Sequence, residues 1–83
     1  MRYCELCGRP ADHPHHVFGA SNRDKSEQYG MVAYLCHRCH INSNMAVHRC
    51  RKTDLMLKIR YQEKFEAENP DKSFIEIFGR NYK

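Results

Sequence analysis

Two cysteine hooks, Cys4-x-x-Cys7 and Cys36-x-x-Cys39, constrain this 83-residue chain more than any other feature. Each hook turns two sulfurs to one side of a tight bend, and together they supply the four thiolates of a tetrahedral structural zinc. A chain this short buries a modest core and gains from such a staple. Its five cysteines are an odd number, and their arrangement in hooks argues for metal ligation in a reducing cytoplasm rather than a disulfide framework. Cys50 is left over and reads as a small, partly buried thiol without a role. Gly8, directly after Cys7, suits the tight turn that lets backbone amides approach the sulfurs. Four thiolates already close the zinc's coordination. The histidines nearby, His15 and His16 between the hooks and His40 directly after Cys39, are then available for a second metal site that does chemistry.

The rest of the composition sets bounds. No apolar tract reaches 18 residues, so the expectation is one small soluble, cytoplasmic domain over residues 1–83, with no membrane span and no secretory leader. The net charge of +4 is mild, but its distribution is uneven. Arg49, Arg51, Lys52, Lys58, Arg60 and Lys64 crowd a segment that holds only Asp54 and Glu63 in opposition, and Glu66, Glu68, Asp71 and Glu76 follow. Such a basic stretch beside a metal centre fits a polyanion, because each phosphate contact releases condensed counterions. Arg49, Arg51, Lys52, Lys58 and Arg60 are therefore the candidate nucleic-acid contacts, with DNA as the partner.

Residues 1–12 read as a zinc knuckle. A short strand is expected over 15–18, a turn at Gly19-Ala20-Ser21-Asn22, a polar loop to Gln28, and a second strand rich in β-formers over 29–35. Were residues 40–48 one continuous helix, His40 and His48 would stand about 12 Å apart along its axis. Asn42-Ser43-Asn44 has the composition of a turn, so an interrupted segment is expected there. A long helix should run from about Thr53, as N-cap, to about Glu68, where Asn69-Pro70 stops it. Leu55, Ile59 and Gln62 mark one edge of its inner face, and Leu57, Tyr61 and Phe65 the other. Asp71 should cap a last short helix that carries Phe74, Ile77 and Phe78, ends at Gly79, and folds back on the long one. His13 and His37 read as exposed and uninvolved. The fold class is thus a small α+β zinc-stapled domain, with a core at 4–48 and a helical extension at 53–83.

The order knuckle, strand, loop, strand, second knuckle and helix, with His15-His16 on the first strand and Cys36-x-x-Cys39-His40 at the second hook, resembles the HNH endonuclease family. Residues 4–48 carry the resemblance, and the narrower likeness is to small HNH proteins of bacteriophage and prophage genomes. It implies a ββα-metal core wrapped by a zinc ribbon. It implies further that His16 is the general base, that His15 stands in place of the family's acid as a metal ligand, and that His40 and His48 complete the ligand set. The activity implied is DNA hydrolysis to 5′-phosphate and 3′-hydroxyl ends, by nicking if one chain acts alone. Besides the structural zinc, a second divalent ion is implied. Imidazole ligands favour Mn²⁺, Ni²⁺, Co²⁺ or Zn²⁺ over Mg²⁺.

One departure is plain, since the family's middle asparagine has no counterpart in Gly30 to Ala33. Asn22, Asn42, Asn44 or a backbone carbonyl is left to orient the base. Independently of the family, neighbours on a strand point to opposite faces, so His15 and His16 do not share one ion but can flank one phosphate. Two other classes compete with the nuclease. One is a non-catalytic zinc-ribbon module that binds nucleic acid through the basic segment. The other is a protein-interaction module that docks on a phage or host replication or recombination protein.

Overall fold

A computed structural model describes residues 2–83, so Met1, the first residue of the expected knuckle, lies outside it. Two short strands, β1 (His13–His16) and β2 (Val32–Leu35), pair antiparallel with His13 opposite Leu35 and His15 opposite Ala33. Ala33 and Leu35 are buried, so the face that carries His13 and His15 looks inward. β1 therefore begins and ends two residues earlier than expected. Its ladder gives out after Val17, whose N–H reaches Met31 O at 3.1 Å. Phe18 then hands both backbone groups to a side chain, its N–H donating to Ser26 Oγ (3.1 Å) and its carbonyl accepting from the same hydroxyl (2.6 Å).

That hydroxyl belongs to an element the sequence reading leaves as loop. Ala20–Asn22 form a 3₁₀ turn, and Arg23–Gln28 form α1. Fewer than two turns of helix show no periodicity and have little intrinsic stability, so α1 exists because tertiary contacts hold it. Ser26 clamps it to the end of β1. The Asn22 amide donates to Phe78 O at 2.9 Å and Lys25 Nζ to Ile77 O at 2.6 Å, which ties the same segment to the C-terminal helix.

The long helix α2 spans Arg51–Glu68 and starts at Cys50, not at Thr53, which lies buried in its first turn. Of the two expected inner edges, Leu57, Tyr61 and Phe65 form the packed one. Leu55 is 40 % exposed, and Gln62 is buried by bonding, its amide to Asn81 Oδ1 and its carbonyl to Tyr82 N, both at 2.8 Å. α3 (Phe74–Phe78) is capped by the Ser73 hydroxyl, which accepts from Glu76 N at 3.3 Å, and not by Asp71. Ser73 is the better placed of the two because it immediately precedes the helix, where an N-cap oxygen reaches the third amide. Gly79, at φ 81°, closes α3 in the left-handed conformation that glycine adopts without strain.

Two clusters hold the chain together. The larger joins Val17, Phe18, Met31 and Ala33 to Leu57, Tyr61, Phe65, Phe74 and Phe78, so α3 does fold back on α2 through an aromatic core. The smaller consists of Cys4, Ala11, Leu35 and Val47. Four buried residues of this size cannot carry an irregular knuckle by apolar burial alone, and this is the half that holds the hooks. No helix among the described residues is long and apolar enough to cross a membrane.

Candidate metal centre

The first hook is a tight backbone knuckle. Cys4 N–H donates to Arg9 O (2.7 Å), Gly8 N–H returns to Cys4 O (2.9 Å), and Gly8 adopts φ 78° to make the turn. The second hook opens a helical turn in which His40 N–H bonds Cys36 O at 2.9 Å. The sulfurs of Cys4, Cys7, Cys36 and Cys39 all lie within 4.8 Å of one another, and Cys50 is not among them. Cys7 Sγ and Cys36 Sγ are 3.5 Å apart. That is far beyond a disulfide bond of about 2.05 Å and near the edge of about 3.8 Å that a tetrahedron with Zn–S of about 2.3 Å requires. Burial pushes the Cys4 thiol up, yet the backbone N–H groups of Cys36, Leu6 and Cys7 outweigh it and bring the group down to about 6. Cys39 is pushed well up by burial and by its three neighbouring cysteines. Four sulfurs drawn this close to one another are compatible with a structural zinc.

A second convergence lies beside it. Ligand nitrogens of His15, His40 and His48 also fall within 4.8 Å of one another. β1 supplies His15, 7 % exposed, on its inner face. His40 sits on a short π-helical turn, Arg38–Asn42, that continues directly from the second hook. At Ser43 the backbone becomes extended and the chain doubles back, so that Val47 N–H bonds Cys39 O (2.9 Å) and His48 N–H bonds His40 O (3.3 Å). The expected interruption is present, and it brings His48 Nε2 to 2.9 Å from His40 Nε2. The His15 ring centroid is 5.3 Å from that of His40 and 5.0 Å from that of His48.

His15 Nε2 and His40 Nδ1 are buried without a hydrogen-bond partner among the described residues. A buried polar atom left in this way costs about 1–3 kcal/mol, and a cation among the three rings would satisfy the His15 nitrogen. Burial, then the His48 and His40 rings, depress His15 to about 4. Burial and the His48, His13 and His37 rings lower His40 as well. Imidazoles that refuse a proton keep their lone pairs for a metal, so the residues present fit a divalent ion.

His16 stands apart from this group, as the strand alternation requires. Its Nε2 lies 3.0 Å from Glu27 Oε1 on α1. His15 and His16 nonetheless border one open cleft of about 570 Å³, together with His48, Asp54 and Lys58. An adjoining hollow of about 280 Å³ adds His40 and Arg23 to the same pair. Ala20, at φ 53°, lines both and is the one non-glycine residue with positive φ among those described.

One expectation needs correction. His13 is half-buried, with its ring 5.5 Å from that of His37 and 5.6 Å from that of His40. It shares the inward face with His15 because β1 begins two residues before the expected start. His37 is exposed, as expected. Of the basic candidates, Lys58 reaches the cleft, paired with Asp54 at 2.9 Å, while Arg49, Arg51, Lys52 and Arg60 are exposed and border neither hollow. No asparagine holds His16 among the described residues: Asn22 bonds Phe78, and Asn42 and Asn44 are exposed. Arg23, Ser26 and Glu27 escaped the sequence reading because they lie in the supposed loop. A signal was there in Gly30, which takes φ 73° just past α1, as a glycine following a helix does.

Fold and site together define a small α+β protein with a four-cysteine cluster compatible with a structural zinc and a three-imidazole cluster that opens on a cleft. No protein-family description matches the chain, and neither a curated protein nor a solved structure is recognisably similar to it.

Proposed function

We propose that this protein is a metal-dependent DNA endonuclease of the HNH type, with the β1–β2 hairpin and the His40–His48 turn forming its ββα-metal core, and with phage or prophage DNA processing as its setting. One observation carries the proposal. Adjacent histidines leave β1 on opposite faces and border one cleft, the buried His15 joining the His40 and His48 imidazoles and His16 facing a carboxylate. In-line phosphodiester hydrolysis asks for this separation, with a base near the attacking water and positive charge near the leaving oxygen.

His16 takes a proton from water, the water oxygen bonds to phosphorus, and the bond from phosphorus to the 3′ oxygen breaks. The products are a 5′-phosphate and a 3′-hydroxyl that picks up its proton from solvent. His15, His40 and His48 would hold a divalent ion, and the chemistry it supplies when bound is charge stabilisation at the leaving 3′ oxygen. Three imidazoles favour Mn²⁺, Ni²⁺, Co²⁺ or Zn²⁺ over Mg²⁺. Lys58 borders the cleft and Arg23 the adjoining hollow, and the two hold the phosphate backbone.

The test is cleavage of supercoiled plasmid by zinc-loaded protein with Mn²⁺ added. Nicked circles that ligase reseals are expected, blocked by EDTA and lost in His16→Ala while that variant still binds two ions per chain. If wild-type protein with two ions bound leaves the plasmid intact, the nuclease reading fails and non-catalytic DNA binding takes its place.

A further inference from the structure

We infer that Glu27 is the positioning residue for His16: its carboxylate locks the imidazole in the tautomer that bears its proton on Nε2, so that Nδ1 presents the lone pair to the cleft. The catalytic consequence rests on the nuclease reading of His16, whereas the tautomer does not. A carboxylate only accepts hydrogen bonds, so a neutral imidazole whose Nε2 lies 3.0 Å from Glu27 Oε1 must donate from that atom. The two ring nitrogens diverge, and only Nδ1 is then left to take a proton.

The contact is built in from both sides. Glu27 follows Ser26, whose fully buried hydroxyl bonds both backbone groups of Phe18, two residues after His16. Met31 N–H bonds Ser26 O at 2.7 Å, which fixes α1 to the start of the second strand. His16 and Glu27 thus ride on segments tied together within two residues of each. Glu27 is itself largely exposed, its side chain keeping 64 % of its accessibility, and no lysine or arginine pairs with it among the described residues. It neither fills the core nor neutralises a cation, so orienting His16 is the one contact that explains its place.

The proposal is tested on histidine-¹⁵N-labelled protein with both metal sites filled by zinc, which is diamagnetic. Long-range ¹H–¹⁵N correlation at mildly alkaline pH reports which nitrogen of His16 carries the proton. Wild type should show the Nε2–H form alone. Glu27→Gln, whose amide can donate as well as accept, should show a mixture in an otherwise folded spectrum, and Glu27→Asp should retain part of the preference. In plasmid nicking, Glu27→Gln should lower kcat about ten- to a hundredfold with KM and metal content unchanged. An Nδ1–H form in the wild type, or a Glu27→Gln variant with unaltered tautomer, overturns the inference. If the wild type cleaves nothing, the nuclease reading falls, and the tautomer comparison by itself still decides whether Glu27 sets the ring.

Discussion

Replacing Cys36 by serine should leave a chain without a cooperative fold. A domain of this length is stabilised by roughly 0.05–0.15 kcal/mol per residue, or about 4–12 kcal/mol in all. Structural zinc at neutral pH is worth about 10–16 kcal/mol in comparable small domains, so the metal's share equals or exceeds the total. The distribution of the core points the same way. The larger cluster holds nine buried residues, Phe18 and Phe65 among them, but the cluster around the hooks holds four, Cys4 among them. Without a cation the four sulfurs also oppose one another, with Cys39 pushed up by burial and then by its neighbouring cysteines. A serine oxygen does not replace a thiolate at a site of this softness. The assay is zinc content by elemental analysis with far-ultraviolet circular dichroism and thermal melting. The expected result is less than one zinc per chain, lost helical signal and no sigmoidal melt. His40 should go with the hook, because it follows Cys39 and its N–H is bonded to Cys36 O, so uptake at the second site should vanish too. A variant that keeps one zinc per chain, or melts cooperatively without any, refutes the reasoning.

His40→Ala should keep the structural zinc and the fold but lose the second ion and all cleavage, as shown by a stoichiometry that drops from two ions to one. Arg23→Ala should weaken DNA binding and reduce the slope of log affinity against log salt by about 1, with metal content unchanged; an unaltered slope would remove Arg23 from the phosphate path. Ser26→Ala should cost about 2–3 kcal/mol in urea unfolding, since it strands the buried Phe18 N–H. His15 is depressed to about 4, so without the second ion the unfolded chain binds more protons between the ordinary histidine value of about 6.5 and about 4. Stability therefore rises with pH across that window and is lost as pH falls through it. His15→Gln should flatten the melting curve against pH above pH 5, and an unchanged slope would show that His15 is not the group responsible.

What the sequence made legible is what spacing alone determines. Both hooks, the opposite placement of His15 and His16, and the break between His40 and His48 follow from short-range geometry, and the structure has all of them. The aromatic rows of α2 and α3 follow from helical period, except where an edge such as Leu55 meets no partner. The misses share a different cause. α1 is held by Ser26 against Phe18 and by Lys25 and Asn22 against α3, contacts that span up to 56 residues and leave no mark in a local window. Glu27 and Arg23 lie on that same helix. His13 lies on β1 because strand ends are decided by which backbone groups find partners, and Ser26 takes those of Phe18.

The small cluster around the four cysteines is also the one that positions the three imidazoles. His40 is joined to Cys39, His48 to Val47, and His15 lies opposite Ala33, two residues before Leu35; Cys39, Val47 and Leu35 all belong to or pack on the Cys4 cluster. Each imidazole is thus within two residues of a group that the hooks fix in place. Three donors brought from residues 15, 40 and 48 would ordinarily require a large core to hold them to ångström tolerance. Here the sulfur cluster does that work in 83 residues, and the aromatic half is left to fix α1 and, through Ser26, the carboxylate that faces His16. The two halves of the molecule divide the cleft between them, one fixing the His15, His40 and His48 imidazoles and the other His16.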